Sequence, residues 1–271
     1  MNLEGKTADN SSDAANSVQL EREMTMSDVF KCDLEYYFGN LRMNGYFVVA
    51  TEGRPKRPGI LIVHDAFGLD SHYIGIADRL AMQGFAALAI DLWGDRRQFT
   101  DSEDVMSTIT GLLNDRETWM GRVEAARQSL IAQPSVDGTK IAAIGYCLGG
   151  STVLEFARFG SDIIGVVSFH GGLDLVGADW DSARVKARLL VCTGVEDPLV
   201  PWTALSGFQN NVRNGGVNWE LDIYSRAKHS FTRPDAAVRS APDRSGYDPQ
   251  AARRSWRAML DFFGEIFERR Q

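Results

Sequence analysis

Cysteine and histidine are scarce in this chain, at three and four among 271 residues. The cysteines, Cys32, Cys147 and Cys192, are odd in number and have no C-x-x-C spacing, so neither a disulfide framework nor a zinc site is indicated. No apolar run approaches the roughly 18 residues of a membrane span, and the N-terminus lacks the basic and hydrophobic pattern of a signal peptide. Internal repeats are absent. Positive charge is also in deficit. The 29 lysines and arginines against 36 acids give a net charge of −7, which argues against nucleic acid or an anionic membrane as the main partner. A reducing cytoplasm is the expected compartment.

What is present is the composition of an ordinary globular protein, 44% hydrophobic and 24% charged. The length suits one large α/β domain with a substantial core. Residues 1–28 are rich in Asn, Ser, Asp and Ala without apolar periodicity, and hold six acids against Lys6 and Arg22. They are expected to form a mobile polar extension. Residues 29–271 are expected to fold as a single domain.

Within that domain, Asp33–Phe38 and Leu41–Ala50 alternate as an antiparallel hairpin turning at Gly39-Asn40. A continuous apolar run predicts a strand covered on both faces at Pro58–His64, and further strands are expected at Phe85–Asp91, Lys140–Ile144, Ile163–Phe169, Ala187–Thr193 and Asn218–Tyr224. Helices are predicted over Ser71–Gln83, Ser151–Phe159, Thr203–Arg213 and Pro249–Arg269. A further helical stretch, Ser102–Gln133, is expected to break near Gly111–Asp115. The last helix places Ala252, Trp256, Met259, Leu260, Phe263, Ile266 and Phe267 on one face. Strands alternating with helices imply an α/β fold, with a mostly parallel central sheet, helices on both faces and an antiparallel N-terminal hairpin.

The chemistry centres on Gly145-Tyr146-Cys147-Leu148-Gly149-Gly150, between a predicted strand and a predicted helix. Such a strand-to-helix corner projects its central side chain as a nucleophile, and flanking glycines are needed because side chains there would collide. The start of the helix offers unpaired N–H groups and partial positive charge, which favour a thiolate and an oxyanion. The competing reading is a buried structural cysteine.

A thiol nucleophile benefits from a base, and the base from an orienting carboxylate. Of His64, His72, His170 and His229, only His229 lies after both the nucleophile and a suitable acid. That acid is Asp197, in the turn after the Ala187–Thr193 strand, with Glu196 as the substitute. The order Cys147, Asp197, His229 is that of the α/β-hydrolases, and each residue falls past a strand's carboxyl end. The expected oxyanion donors are the amides of Leu148 and Ala66, the latter in the loop His64-Asp65-Ala66-Phe67-Gly68. Phe67, Trp93, Tyr146 and Trp202 are candidate apolar walls of a substrate pocket, or simply core.

These motifs, with Glu196-Asp197-Pro198, His229-Ser230-Phe231 and the loop His170-Gly171-Gly172-Leu173, resemble the dienelactone hydrolase family over roughly residues 34–267. The resemblance implies an α/β-hydrolase fold. It also implies hydrolysis of a small activated ester or lactone through a thioester, without metal or organic cofactor, with Cys147 attacking, His229 carrying the proton and Asp197 holding the imidazole. The family has a cysteine-activating glutamate where this chain has Asp65, one methylene shorter; a loop aspartate capping local amides is the alternative. The resemblance makes Arg233 the candidate contact for a substrate carboxylate. The family's other arginine falls near Ser102–Met106, where this chain has none, and Arg96 and Arg97 are substitutes or a solvated pair. A general carboxylesterase or thioesterase and a catalytically weak ligand-binding homologue are the remaining alternatives. The sequence is silent on the oligomeric state.

Overall fold

The computed structural model describes residues 28–239 and 241–268, so the expected polar extension, apart from Asp28, lies outside the described residues. Strands β1 (Val29–Phe38) and β2 (Leu41–Ala50) form the predicted antiparallel hairpin, pairing Phe38 with Leu41 across a turn in which Gly39 takes a φ of +56°. That left-handed φ is open to glycine at no steric cost. Six further strands follow: β3 (Arg57–Val63), β4 (Ala86–Ala89), β5 (Val136–Tyr146), β6 (Gly165–Phe169), β7 (Arg188–Gly194) and β8 (Trp219–Tyr224). The sheet order is β1-β2-β4-β3-β5-β6-β7-β8, antiparallel from β1 to β4 and parallel from β4 to β8.

The period of two along each strand divides the core into two layers. Ile60, Ile62, Ala142 and Ile144 point to the side covered by α1 (Ser71–Met82) and by α7 (Pro249–Glu268), which follows the single turn α6 (Ala236–Arg239). Leu61, Val63 and Ala143 point to the side covered by α2 (Ser102–Asn114), α3 (Arg116–Ile131), α4 (Leu148–Arg158) and α5 (Trp202–Asn214). The central strands are therefore apolar throughout because both faces are covered. Each large side chain buried this way, such as Trp119 or Phe263, contributes about 1.5–3 kcal/mol of burial.

Three expectations are refined. The helical break falls at Asp115, whose carboxylate accepts the Thr118 amide at 3.0 Å and so caps α3. The helix after Cys147 begins at Leu148 rather than Ser151, because the corner passes straight into helical geometry. On α7, Ala251, Ser255 and Phe262 are buried, whereas Ala252 and Leu260 are only partly so; the buried stripe is wider than the one face predicted. Among the described residues, no helix is long and apolar enough to cross a membrane.

Candidate active site

Cys147 sits between the end of β5 and the start of α4 with φ +54° and ψ −119°, an outlying conformation for a residue with a side chain. Its neighbours show how the corner closes. A Cβ on Gly145 would enter the carbonyl of Gly149, and one on Gly149 would enter the carbonyls of Val63 and His64. Only bare backbone lets β3, β5 and α4 approach this closely. The Cys147 amide is held by the Phe169 carbonyl at 3.0 Å and by His170 Nδ1 at 3.1 Å, while its carbonyl accepts the Gly150 and Ser151 amides. The side chain is half-buried, so the sulfur is not sealed in the core.

Asp197 and His229 lie in the turns after β7 and β8. Asp197 is 3% exposed; one oxygen accepts the Leu199 amide at 2.8 Å and the other meets His229 Nδ1 at 2.9 Å. Glu196, the substitute acid, is exposed. His229 is pinned through its own backbone, its amide donating to the Arg244 carbonyl and its carbonyl accepting from Gly246. Its Nε2 is buried and closes no hydrogen bond of full geometry, yet the Cys147 side chain is near enough to act on the ring. Burial alone would lower the basicity of this imidazole. Negative charge on Cys147 and the bond to Asp197 outweigh burial and hold the imidazolium up to about 10.

The loop after β3 carries the second proposed oxyanion donor. Neither the Ala66 nor the Leu148 amide donates to an acceptor among the described residues, so both stand free for a ligand. His64 is buried and shapes this loop, bonding the Asp65 carbonyl through Nδ1 and accepting the Leu92 amide at Nε2. Asp65 Oδ1 accepts the Phe67 amide at 2.9 Å, and Oδ2 pairs with Arg239 at 3.0 Å and Arg233 at 3.6 Å. These are the bonds of a loop cap and ion-pair partner, and no bond runs from Asp65 to Cys147.

Arg233 departs from expectation. It is 6% exposed, and its guanidinium is shared among Asp70 at 2.5 Å, Asp235 at 2.8 Å and Asp65. Arg239 shares Asp65 and Asp70, so the cluster sets two cations against three carboxylates and leaves no surplus positive charge for a substrate carboxylate. Arg96 is likewise committed, to the carbonyls of Asn44 and Gly45 and to Asp33; Arg97 is exposed and stacks on Phe99.

The four apolar candidates do not form one wall. Trp93 packs against His64 and Phe99 on the α2–α5 side, whereas Tyr146 stacks on Phe169 at 4.8 Å on the α1/α7 side. Phe67 is partly buried beneath Arg239, and Trp202 is exposed at the start of α5.

Sequence reasoning treated His170 only as part of a loop motif, but it braces the site. It is 2% exposed with φ +42°. The Cys147 amide can only donate, so Nδ1 must accept, and the proton on Nε2 is given to Thr232 Oγ1 at 2.8 Å. Burial and the neighbouring His229 charge push its pKa well below the usual range, which keeps Nδ1 free to accept. A positive φ on a non-glycine residue has no sequence signature, and the Thr232 contact spans 62 residues.

The sequence model of the dienelactone hydrolase family matches residues 43–267, a span that includes Cys147, Asp197 and His229. The chain belongs to the dienelactone hydrolase family. It is a hydrolase of ester or lactone bonds with an α/β-hydrolase fold. The crystal structure of a dienelactone hydrolase-like promiscuous phosphotriesterase from metagenomic libraries superposes with a TM-score of 0.83 at 39% identity, covering 88% of this chain and 99% of that one. A Caenorhabditis elegans protein, K02A2.1, is 36% identical over 153 residues, 54% of this chain and 92% of its own length. A Yersinia pestis protein provisionally named carboxymethylenebutenolidase is 24% identical over 218 residues, 76% of this chain and 77% of its own.

Proposed function

We propose that this dienelactone hydrolase family member is a cysteine-dependent hydrolase of small activated esters and lactones that works through a thioester. The observation that supports this reading is an imidazole held to a buried carboxylate and close to the Cys147 side chain, with the unpaired Leu148 amide next in the chain. The Cys147 thiolate attacks the substrate carbonyl carbon. The resulting oxyanion is received by the Ala66 and Leu148 amides, a type of contact in which one donor is typically worth about 2.7–4 kcal/mol. The His229 imidazolium gives its proton to the departing alkoxide as the C–O bond breaks, leaving a thioester. Neutral His229 then takes a proton from water as hydroxide adds to the thioester, and collapse releases the carboxylic acid and restores thiolate and imidazolium. Asp197 fixes the tautomer throughout.

The balanced charge around Arg233 favours neutral esters and lactones over an anionic dienelactone, the reading closest to a general carboxylesterase. Dependence on a free thiol also fits a reducing compartment such as the cytoplasm. The test is p-nitrophenyl acetate turnover by wild type and Cys147→Ala, with mass spectrometry for an acyl adduct. Turnover lost in Cys147→Ala, with the adduct mapped to Cys147, is expected; undiminished turnover would exclude this thiol as the nucleophile.

A further inference from the structure

A cavity of about 440 Å³ lies on the α1/α7 side of the sheet, behind the elbow rather than in front of it. None of Cys147, Asp197, His229, Ala66 or Leu148 lines it. Tyr146 separates the two spaces: it directly precedes the nucleophile, and strand alternation sends its ring to the α1/α7 layer. The volume suits a small organic molecule, since ligand pockets run from about 300 to 1,000 Å³.

The lining is aromatic on one side and cationic on the other. Tyr146 and Phe169 stack almost parallel, at 9° and 4.8 Å between centroids, and Trp256 adds a third ring from α7. The guanidinium of Arg79, from α1, lies 3.6 Å over the Trp256 ring. Stacking fixes its plane and leaves the N–H edge free, the arrangement that takes a carboxylate with two parallel hydrogen bonds. Arg253 adds a second cation. No aspartate or glutamate lines the cavity, and among the described residues neither Arg79 nor Arg253 makes an ion pair. The contrast with Arg233, which has three carboxylates, is complete.

We infer that this cavity is a second binding site, separate from the hydrolytic centre, for a small planar aromatic carboxylate. The ring lies against Tyr146, Phe169 and Trp256, and the carboxylate meets Arg79 and Arg253. The wall also includes Thr232, whose hydroxyl accepts from His170, so the site adjoins the brace behind Cys147 without touching the sulfur.

Benzoate is the probe, titrated into the full-length protein after Cys147 has been blocked with iodoacetamide, with binding read by calorimetry and by Trp fluorescence. Saturable binding with a Kd on the order of 1–10 mM is expected for a ligand of this size. It should be unchanged by the block and about ten-fold weaker for neutral benzamide and for Arg79→Gln. Arg253→Gln, on an exposed position, provides a second variant and should weaken benzoate in the same direction. Loss of binding on blocking Cys147 would place benzoate in the catalytic centre and overturn the inference. So would equal affinity for benzamide, wild-type affinity in both arginine variants, or no saturable binding of benzoate.

Discussion

His170 Nδ1 accepts the amide hydrogen of Cys147 at 3.1 Å, so one imidazole braces the backbone of the proposed nucleophile while another, His229, lies close to its side chain. The two rings meet edge to face at 5.2 Å. His170→Ala removes the brace and leaves the Thr232 hydroxyl without its donor. A loss of about 1–3 kcal/mol is expected from stranded buried polar groups, read as a lower urea midpoint. kcat for p-nitrophenyl acetate should fall with it, and unchanged stability and kcat would reduce His170 to a space-filling residue.

The charge on His229 sets a pH dependence with a defined sign. Its pKa is raised in the folded protein to about 10, from an ordinary value of about 6.5. Protonation therefore contributes stability fully below about pH 6.5, and the contribution is lost as the pH climbs through about 10. Guanidinium unfolding of wild type and His229→Gln at pH 7 and pH 10 measures this directly. The stability gap should narrow at the higher pH; a constant or widening gap would contradict the ion-pair assignment.

Gly149 lies in the first turn of α4, where alanine would ordinarily stabilise a helix by roughly 0.5–1 kcal/mol. Here the added methyl would enter the Val63 and His64 carbonyls. Gly149→Ala should instead destabilise by about 3 kcal/mol, with activity falling because the corner must open. Thermal unfolding decides the sign.

Arg233 and Asp65 make a paired prediction. Because three aspartates neutralise Arg233, Arg233→Ala should reduce kcat/KM by similar factors for an anionic lactone and a neutral ester. A loss confined to the anionic substrate would restore the carboxylate contact expected from the family resemblance. Asp65→Asn leaves Arg239 and Arg233 short of a partner, and a cost approaching the ~3 kcal/mol of a broken buried pair is expected in chemical denaturation.

The parts of this molecule legible in its sequence are those written in local pattern. The two-residue alternation of Ile60 to Val63 gives the layered sheet, and glycines around Cys147 give the corner, because close backbone approach admits little else. The pairing of Asp197 with His229 was legible because each follows a strand in a fixed order. What escaped were partnerships across the fold. Asp70 is 163 residues from Arg233 and Asp65 is 174 from Arg239, so no spacing rule announces that these charges cancel. The division of Trp93 and Tyr146 between opposite faces is equally invisible in composition, although strand parity at Tyr146 gave the signal.

The elbow amide is fastened to the Phe169 carbonyl and to His170, and its carbonyl to the first turn of α4. Cys147 is thus held in a fixed posture, and on the proposed mechanism molecules must be brought to it. On that mechanism, discrimination among substrates falls to what surrounds the corner, chiefly the segments leaving β3, β4, β7 and β8.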